Sequence, residues 1–325
     1  MRPARVVLTD SDLPPLGIEE EVLGAAGHEV VRAACTSAED VIAAGAGADA
    51  LLVQWAPITA AVLEALPTVR VVSRLGIGVD MVDVEAATRL GVAVANTPTY
   101  CIEEVAAHTL ALILGRTREL VPLDAAVRTG GWGVTRLAPR SVRPSETTVA
   151  VIGYGRIGRR VAAALVAIGF RVLVADPYAP AVDLPGAVAA PVPEALAAAD
   201  VVTLHAPLTA ETRHLIDAAA IATMRPGALV VNTCRGGLVD EQALAAALVD
   251  GRLGGAALDV FATEPLPAES PLRSAPGVLL TPHAAWYSPA ALRALPREAA
   301  ENVVRVLAGE RIPAIVNPAH ADVAR

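Results

Sequence analysis

Lysine is absent from this 325-residue chain: all 26 basic residues are arginine. Its absence excludes Schiff-base catalysis and a P-loop lysine, and any fixed positive charge in a site must be a guanidinium. Aromatic residues are scarce, with two Phe, four Tyr and three Trp. The core therefore falls to Ala, Val, Leu and Ile, a set suited to buried parallel strands covered by helices. Cys35, Cys101 and Cys234 are too few and too far apart for a disulfide framework or a cysteine-based zinc site, which fits a reducing, cytoplasmic setting. No metal site is expected. Positive charge is outnumbered, giving a net −8 and a pI near 5.3, so the chain shows no electrostatic footprint for nucleic acid or an anionic membrane. No apolar run approaches membrane length, and the start, Met1-Arg-Pro-Ala-Arg-Val-Val-Leu-Thr-Asp10, meets an acid too soon for a signal peptide.

What is present describes a globular α/β protein, 54% hydrophobic and 18% charged, long enough for two domains. The most informative stretch is Val149-Ala-Val-Ile-Gly153-Tyr-Gly155-Arg-Ile-Gly158-Arg-Arg-Val, an apolar strand running through a glycine-rich turn into a helix. In such a turn Gly153 allows the tight bend, Gly155 lets backbone approach a pyrophosphate, and Gly158 lets the helix pack on the strand. Arg171-Val-Leu-Val-Ala-Asp176 reads as the second strand, ending in an acid 18 residues beyond Gly158. A carboxylate there accepts from an adenosine ribose 2′-OH and repels a 2′-phosphate, implying NAD rather than NADP. Such turns also close ordinary strand-to-helix junctions; the flanking strand, helix and acid favour the dinucleotide.

Before this loop the chain already completes a βαβ series of its own. Strands are expected at Arg5 to Leu8, Glu29 to Arg32, Ala50 to Gln54, Arg70 to Ser73 and Val92 to Ala95. Helices are expected at Ser37 to Gly45, Thr59 to Leu66 and Val84 to Leu90. The chain thus divides into two doubly wound units. Val105, Leu110, Ile113 and Leu114 recur at helical spacing in a run from Ile102 to about Arg128, expected as one long helix bridging the domains. Gly130 to Gly133 and Pro139 to Ser145 read as an irregular arm, a connection, a subunit contact or only solvated surface. The second unit continues through apolar runs at Val201, Ala228 and Gly255, each ending at a polar residue. A helix is expected from Ala290 to Leu307, and a last strand or extended tail from Ile312 to Asn317.

Three strand ends carry groups that hydride transfer requires. Arg235 can hold a carboxylate and polarise an adjacent carbonyl with its planar fork; it can equally be a surface arginine paired with Asp240 or Glu241. His283 can move a proton at the reacting oxygen, or serve as a buried structural histidine beside Pro282. Glu264 can pair with His283 and stabilise its charged form, or be an ordinary surface acid.

The ordered set Gly153-Tyr154-Gly155-Arg156-Ile157-Gly158, Asp176-Pro-Tyr, His205-Ala206-Pro207-Leu-Thr, Asn232-Thr233-Cys234-Arg235-Gly-Gly, Leu258-Asp259, Glu264-Pro and Pro282-His283 resembles the NAD-dependent D-2-hydroxyacid dehydrogenases over nearly the whole chain. Arg74-Leu75-Gly76-Ile77-Gly78-Val-Asp80 and Glu103-Glu-Val-Ala-Ala-His-Thr109 extend the resemblance into the first domain and the long helix. Pro282-His-Ala-Ala-Trp286-Tyr-Ser and Arg235-Gly-Gly-Leu-Val-Asp-Glu look most like the branch containing the C-terminal-binding proteins. The resemblance implies a flavodoxin-like substrate domain at 1–98 plus 288–325, a Rossmann NAD-binding domain at 99–287, and an active site in the cleft. It implies that Arg235 binds and polarises a 2-oxo acid, that His283 is the acid/base and that Glu264 tunes it. Amides around Gly76, Ile77 and Gly78, with Arg74 and Leu75, would receive the substrate, and Trp286 would wall the pocket or simply pack. By the same resemblance the glycine loop and Asp176 hold the cofactor, His205, Ala206, Pro207 and Thr212 line it, and Thr233, Cys234 and Asp259 lie near the nicotinamide. A homodimer formed through the cofactor domain and the 130–145 arm is implied too.

Two positions depart from the family pattern. Cys234 stands where a smaller Ala or Ser is usual, and Arg143-Pro-Ser-Glu-Thr-Thr replaces the usual lead-in to the first nucleotide-domain strand. The expected activity is NADH-dependent reduction of a 2-oxo acid to the D-2-hydroxy acid. The alternatives are an NAD(H)-sensing corepressor-like binding protein and a specialised phosphoglycerate or phosphite dehydrogenase.

Overall fold

A computed structural model describes residues 2–138, 140–179 and 181–323; Pro139, where the second part of the expected arm begins, lies outside them. The chain forms two compact units, one of Met1–Cys101 with Tyr287–Arg325 and one of Ile102–Trp286.

The first unit carries strands β1 (Arg5–Leu8), β2 (Glu29–Arg32), β3 (Ala50–Val53), β4 (Val71–Arg74) and β5 (Ala93–Ala95). They form one parallel sheet in the order β2-β1-β3-β4-β5, the flavodoxin-like order. Its helices start where polar side chains can take the first amides. Ser37 and Asp40 form a reciprocal capping box at Ala38–Gly45, while Thr59 and Asp83 cap Ala60–Ala65 and Val84–Arg89. The helix Pro289–Leu307, capped by Ser288, returns the chain to this unit. The segment beyond it is an extended tail, not a strand: it makes one isolated bridge, Ile315 to Ala95, and Asn317 locks it by hydrogen bonds with the Val94 amide and the Val92 carbonyl.

The second unit carries β6 (Thr148–Ile152), β7 (Arg171–Ala175), β8 (Ala187–Ala189), β9 (Val201–Leu204), β10 (Leu229–Asn232), β11 (Gly255–Leu258) and β12 (Val278–Leu280). All seven are parallel, in the order β12-β11-β10-β9-β6-β7-β8. Alternation along β6 divides its side chains between two layers. Val149 and Val151 pack with Ile113, Val161 and Leu165 of the helices on one face, and Ala150 and Ile152 with Leu196 and Leu244 on the other. Strand order reverses between β6 and β9, so the crevice beyond their carboxyl ends is the topological switch point where such sheets bind ligands.

The expected single helix from Ile102 to about Arg128 is two helices, Ile102–Thr117 and Leu120–Arg128, with Glu119 between them at φ 52°. Pro122 explains the break: in a continuous helix it would offer no N–H to the Arg118 carbonyl and its ring would press on that group. The arm that follows contains a single helical turn at Val134–Leu137 and a 3₁₀ turn at Pro144–Glu146.

Candidate active site

The glycine turn joins β6 to the helix Arg156–Ile168, which has no side-chain cap. Gly153 sits at φ 99°, and a Cβ there would lie 2.5 Å from the His205 carbonyl carbon at the end of β9. A Cβ on Gly158 would come within 2.1 Å of the Gly153 oxygen, whereas one on Gly155 would meet nothing within 4 Å. Two of the glycines thus allow close internal packing. The third leaves exposed backbone, at an uncapped helix start, open to an anion.

Asp176 closes the far side of the turn. Its carboxylate accepts from the Tyr154 amide at 2.7 Å and the Tyr178 amide at 2.8 Å, which fixes its position at the end of β7. A cavity of about 540 Å³ opens beside it, lined by apolar groups including Val174, Pro177, Ala189, Pro191 and Val192, a surface suited to a flat base. These residues fit a dinucleotide. Besides the amide it gives Asp176, Tyr154 has its ring buried against the Arg159 guanidinium, 4.2 Å away, and its hydroxyl donates to Asp183. Arg156 is exposed and Ile157 half-buried at the helix start.

Beyond β9, Thr212 donates to the Pro207 carbonyl at 2.6 Å and accepts from the Thr209 amide, closing the loop on itself. The Cys234 thiol donates to the Ala206 carbonyl at 2.9 Å, tying the β9 and β10 ends together. His205 contacts the Thr203 hydroxyl at 3.0 Å, and burial pushes its pKa down to about 4, leaving the ring neutral.

Arg235, Glu264 and His283 lie on loops leaving β10, β11 and β12, neighbours in the sheet. His283 Nδ1 lies 2.6 Å from Glu264 Oε2, while Oε1 accepts from the Phe261 amide at 2.9 Å. Burial alone would raise the Glu264 pKa. The His283 hydrogen bond and charge, the Phe261 N–H and the Arg235 charge outweigh it, so the net shift is downward. His283 itself has a left-handed backbone, φ 53°, uncommon for a residue with a Cβ. Its amide donates to the Asp259 carbonyl at 2.7 Å. Arg235 is held by its own backbone: Nη1 donates to the Cys234 carbonyl, and Asn232 donates to the Arg235 carbonyl. Asp240 caps the helix Glu241–Val249, and Glu241 takes the Ala262 amide, so both suggested surface partners have other bonds.

Asp259 is fully buried, and its carboxylate anchors the histidine loop by accepting from Thr281 Oγ1 and the Ala284 and Ala285 amides at 2.5, 2.9 and 2.8 Å. The helix Ile102–Thr117 joins this network. His108 contacts Thr281 Oγ1 at 3.1 Å, and Thr109 contacts Thr233 Oγ1 at 2.8 Å. Sequence reasoning passed over His108, Thr109 and Thr281, although His108 and Thr109 end a quoted motif; their spacing from the strand ends carries no signal in one dimension. Trp286 is half-buried three residues beyond His283.

In the first unit, Gly76 has φ 145°, and a Cβ there would collide with the Arg74 guanidinium. Arg74 is buried, lying 5.1 Å from the Trp55 ring. The Gly76 carbonyl accepts from the Thr97 amide and the Ile77 carbonyl from Asn96 Nδ2. No hydrogen bond is donated by the Ile77 or Gly78 amide among the described residues. Leu75, expected among the substrate contacts, is buried, and its amide donates to the Val53 carbonyl.

Residues 110–285 match the model of the D-isomer specific 2-hydroxyacid dehydrogenase, NAD binding domain. The chain belongs to the D-isomer specific 2-hydroxyacid dehydrogenases. It is 41% identical over 314 residues to the D-3-phosphoglycerate dehydrogenase of Mycobacterium leprae, covering 95% of this chain and 57% of that protein; the chain spans about half the length of the curated relatives it matches. A crystal structure of a Thermus thermophilus protein aligns with a TM-score of 0.84 at 34% identity over 96% of this chain and 99% of that one. The Aquifex aeolicus D-lactate dehydrogenase, complexed with NAD and lactic acid, aligns with a TM-score of 0.85 at 28% identity, covering 94% and 96%. The second unit is thus the family's NAD-binding domain. Among the described residues no cluster able to hold a metal is present, and no helix is long and apolar enough to cross a membrane.

Proposed function

We propose that this family member is an NAD-dependent oxidoreductase that reduces a 2-oxo acid to the D-2-hydroxy acid. The observation that carries the reading is the 2.6 Å His283–Glu264 pair, on the loops leaving β12 and β11, beside the β10 end that carries Arg235, within the NAD-binding domain. Bound NADH would supply the hydride. Glu264 holds Nδ1, and His283 is assigned to deliver a proton to the substrate oxygen and, in the oxidation, to accept it. The ionised Glu264 stabilises the charged ring, as an adjacent carboxylate does. Arg235 orients the substrate acid and polarises its 2-oxo group through charge-assisted hydrogen bonds. The amides of Ile77 and Gly78 are assigned to the substrate carboxylate, and Asp176 to the adenosine ribose. A homodimer in a reducing, cytoplasmic setting belongs to the same reading.

The curated relatives favour a narrower reading, in which the acid is a 3-phosphorylated one. The test is NADH and NADPH oxidation against glyoxylate, hydroxypyruvate, phosphohydroxypyruvate, pyruvate, phenylpyruvate and 4-methylthio-2-oxobutyrate. NADH-specific turnover on one of them is expected, and preference for phosphohydroxypyruvate would select the narrower reading. Tight NADH binding without turnover on any would sink the reductase in favour of an NAD-sensing role.

A further inference from the structure

The amino edge of the seven-stranded sheet, opposite the glycine loop and His283, holds a cavity of about 410 Å³. It opens beside Thr147, Asp200, Gly227 and Gly254, the residues that precede β6, β9, β10 and β11. Two guanidinium groups converge there. Arg116 Nη2 and Arg140 Nη1 both point at the Gly254 carbonyl, at 3.5 and 3.1 Å. The close approach of Arg116 depends on glycine: a Cβ on Gly255 would stand 2.6 Å from its Nη2. One carbonyl is a poor return for two such cations, each with five N–H donors. Arg116 Nε and Ser141 Oγ, both buried and both from residues lining the cavity, have no hydrogen-bond partner, a cost that buried polar groups seldom carry.

Each acid around the cavity has a partner of its own. Asp200 pairs with Arg225 at 3.0 Å and Glu146 with Arg143 at 3.6 Å, and Glu119 accepts the Arg140 amide at 3.0 Å. A second cavity of about 350 Å³ shares Arg116, Glu119 and Arg140, and extends along Val121, Pro122 and Leu279, giving an apolar continuation beyond the charged head. Burial lowers the Arg116 pKa, opposed by Glu119 and reinforced by Arg140; an anion between the two guanidiniums would offset that mutual repulsion.

We propose that this cavity binds a small organic anion, a carboxylate or phosphate monoester, between Arg116 and Arg140 with Ser141 donating to it. The planar forks match the oxygen pairs of either group. The site lies on the opposite sheet edge from the nucleotide loop, so its ligand is an effector and not a substrate.

The experiment is calorimetric titration of the full chain, saturated with NADH to fill the nucleotide site, with inorganic phosphate and, separately, with succinate. Saturable binding of at least one is expected, weakened tenfold or more by Arg140→Glu and by Ser141→Ala, with NADH affinity and basal turnover unchanged in both variants. Binding of phosphate alone identifies a phosphate ester as the source, and binding of succinate alone a carboxylate; either supports the site. No saturable binding of either anion, or binding that neither variant weakens, overturns it.

Discussion

His283 joins two structural demands at one residue. Its left-handed backbone and its amide bond to the Asp259 carbonyl set where the ring stands, and Glu264 fixes its Nδ1. His283→Ala and Arg235→Ala should each lower turnover by about 10²-fold or more, with NADH affinity little changed, as expected for groups acting on the transition state; single-turnover kinetics with a fluorescence titration of NADH check this. His205 supplies a pH test independent of catalysis. Its folded pKa of about 4 lies below the 6.5 of an ordinary histidine, so as pH falls the unfolded chain takes up this proton first. Its contribution, about 3 kcal/mol from the size of the shift, is full above pH 6.5 and lost as pH falls from there towards 4. Urea unfolding across that window should show the decline, and His205→Gln should flatten it. Glu264 acts lower on the scale: its depressed pKa gives stability present above the ordinary carboxylate value and lost as pH falls through the folded one.

Turns and caps decide the elements. Gly158 permits the helix Arg156–Ile168 to lie against the Gly153 carbonyl, so Gly158→Ala should destabilise the fold by about 1–3 kcal/mol through overpacking and weaken NADH binding, read by thermal unfolding and NADH titration. The extended tail depends on Asn317, whose side chain bonds Val94, Val92 and Thr88. Asn317→Ala leaves buried backbone groups unpaired and should cost about 1–3 kcal/mol in urea unfolding. Element boundaries were legible wherever the chain announces them by chemistry, as at Ser37, Thr59 and Asp83. The split between Thr117 and Leu120 was signalled by Pro122, yet apolar periodicity through Ile113 and Leu114 masked it, because periodicity reports a buried face and not continuity of the backbone.

At the scale of the molecule, apolar surface on the helix Leu120–Arg128 and the arm after it bears on assembly. Leu120, Val121, Val127, Trp132 and Val134 are all exposed, Trp132 by 83%, a concentration of large apolar groups that usually marks an interaction surface. If the arm forms the proposed dimer contact, sedimentation will show a dimer that Trp132→Glu shifts towards monomer; a stable wild-type monomer would remove the claim. The effector cavity belongs to this scale too, since Arg116, Arg140 and Ser141 come from a helix end and a connecting loop that meet only across the sheet's amino edge.

The sequence by itself determined most strands of both sheets, because buried parallel strands require continuous apolar runs such as Ala50–Val53 and Val201–Leu204; the short, half-exposed β8 carries no such run. It also determined the nucleotide turn, whose glycines and following acid are local in the chain. The tertiary structure alone decided what meets across long separations: Glu264 with His283, Asp259 beneath the histidine loop, and His108 and Thr109 against Thr281 and Thr233. Local chemistry is written in neighbouring residues, whereas these contacts depend on strand order and register, which bring distant residues together only once the sheet has closed.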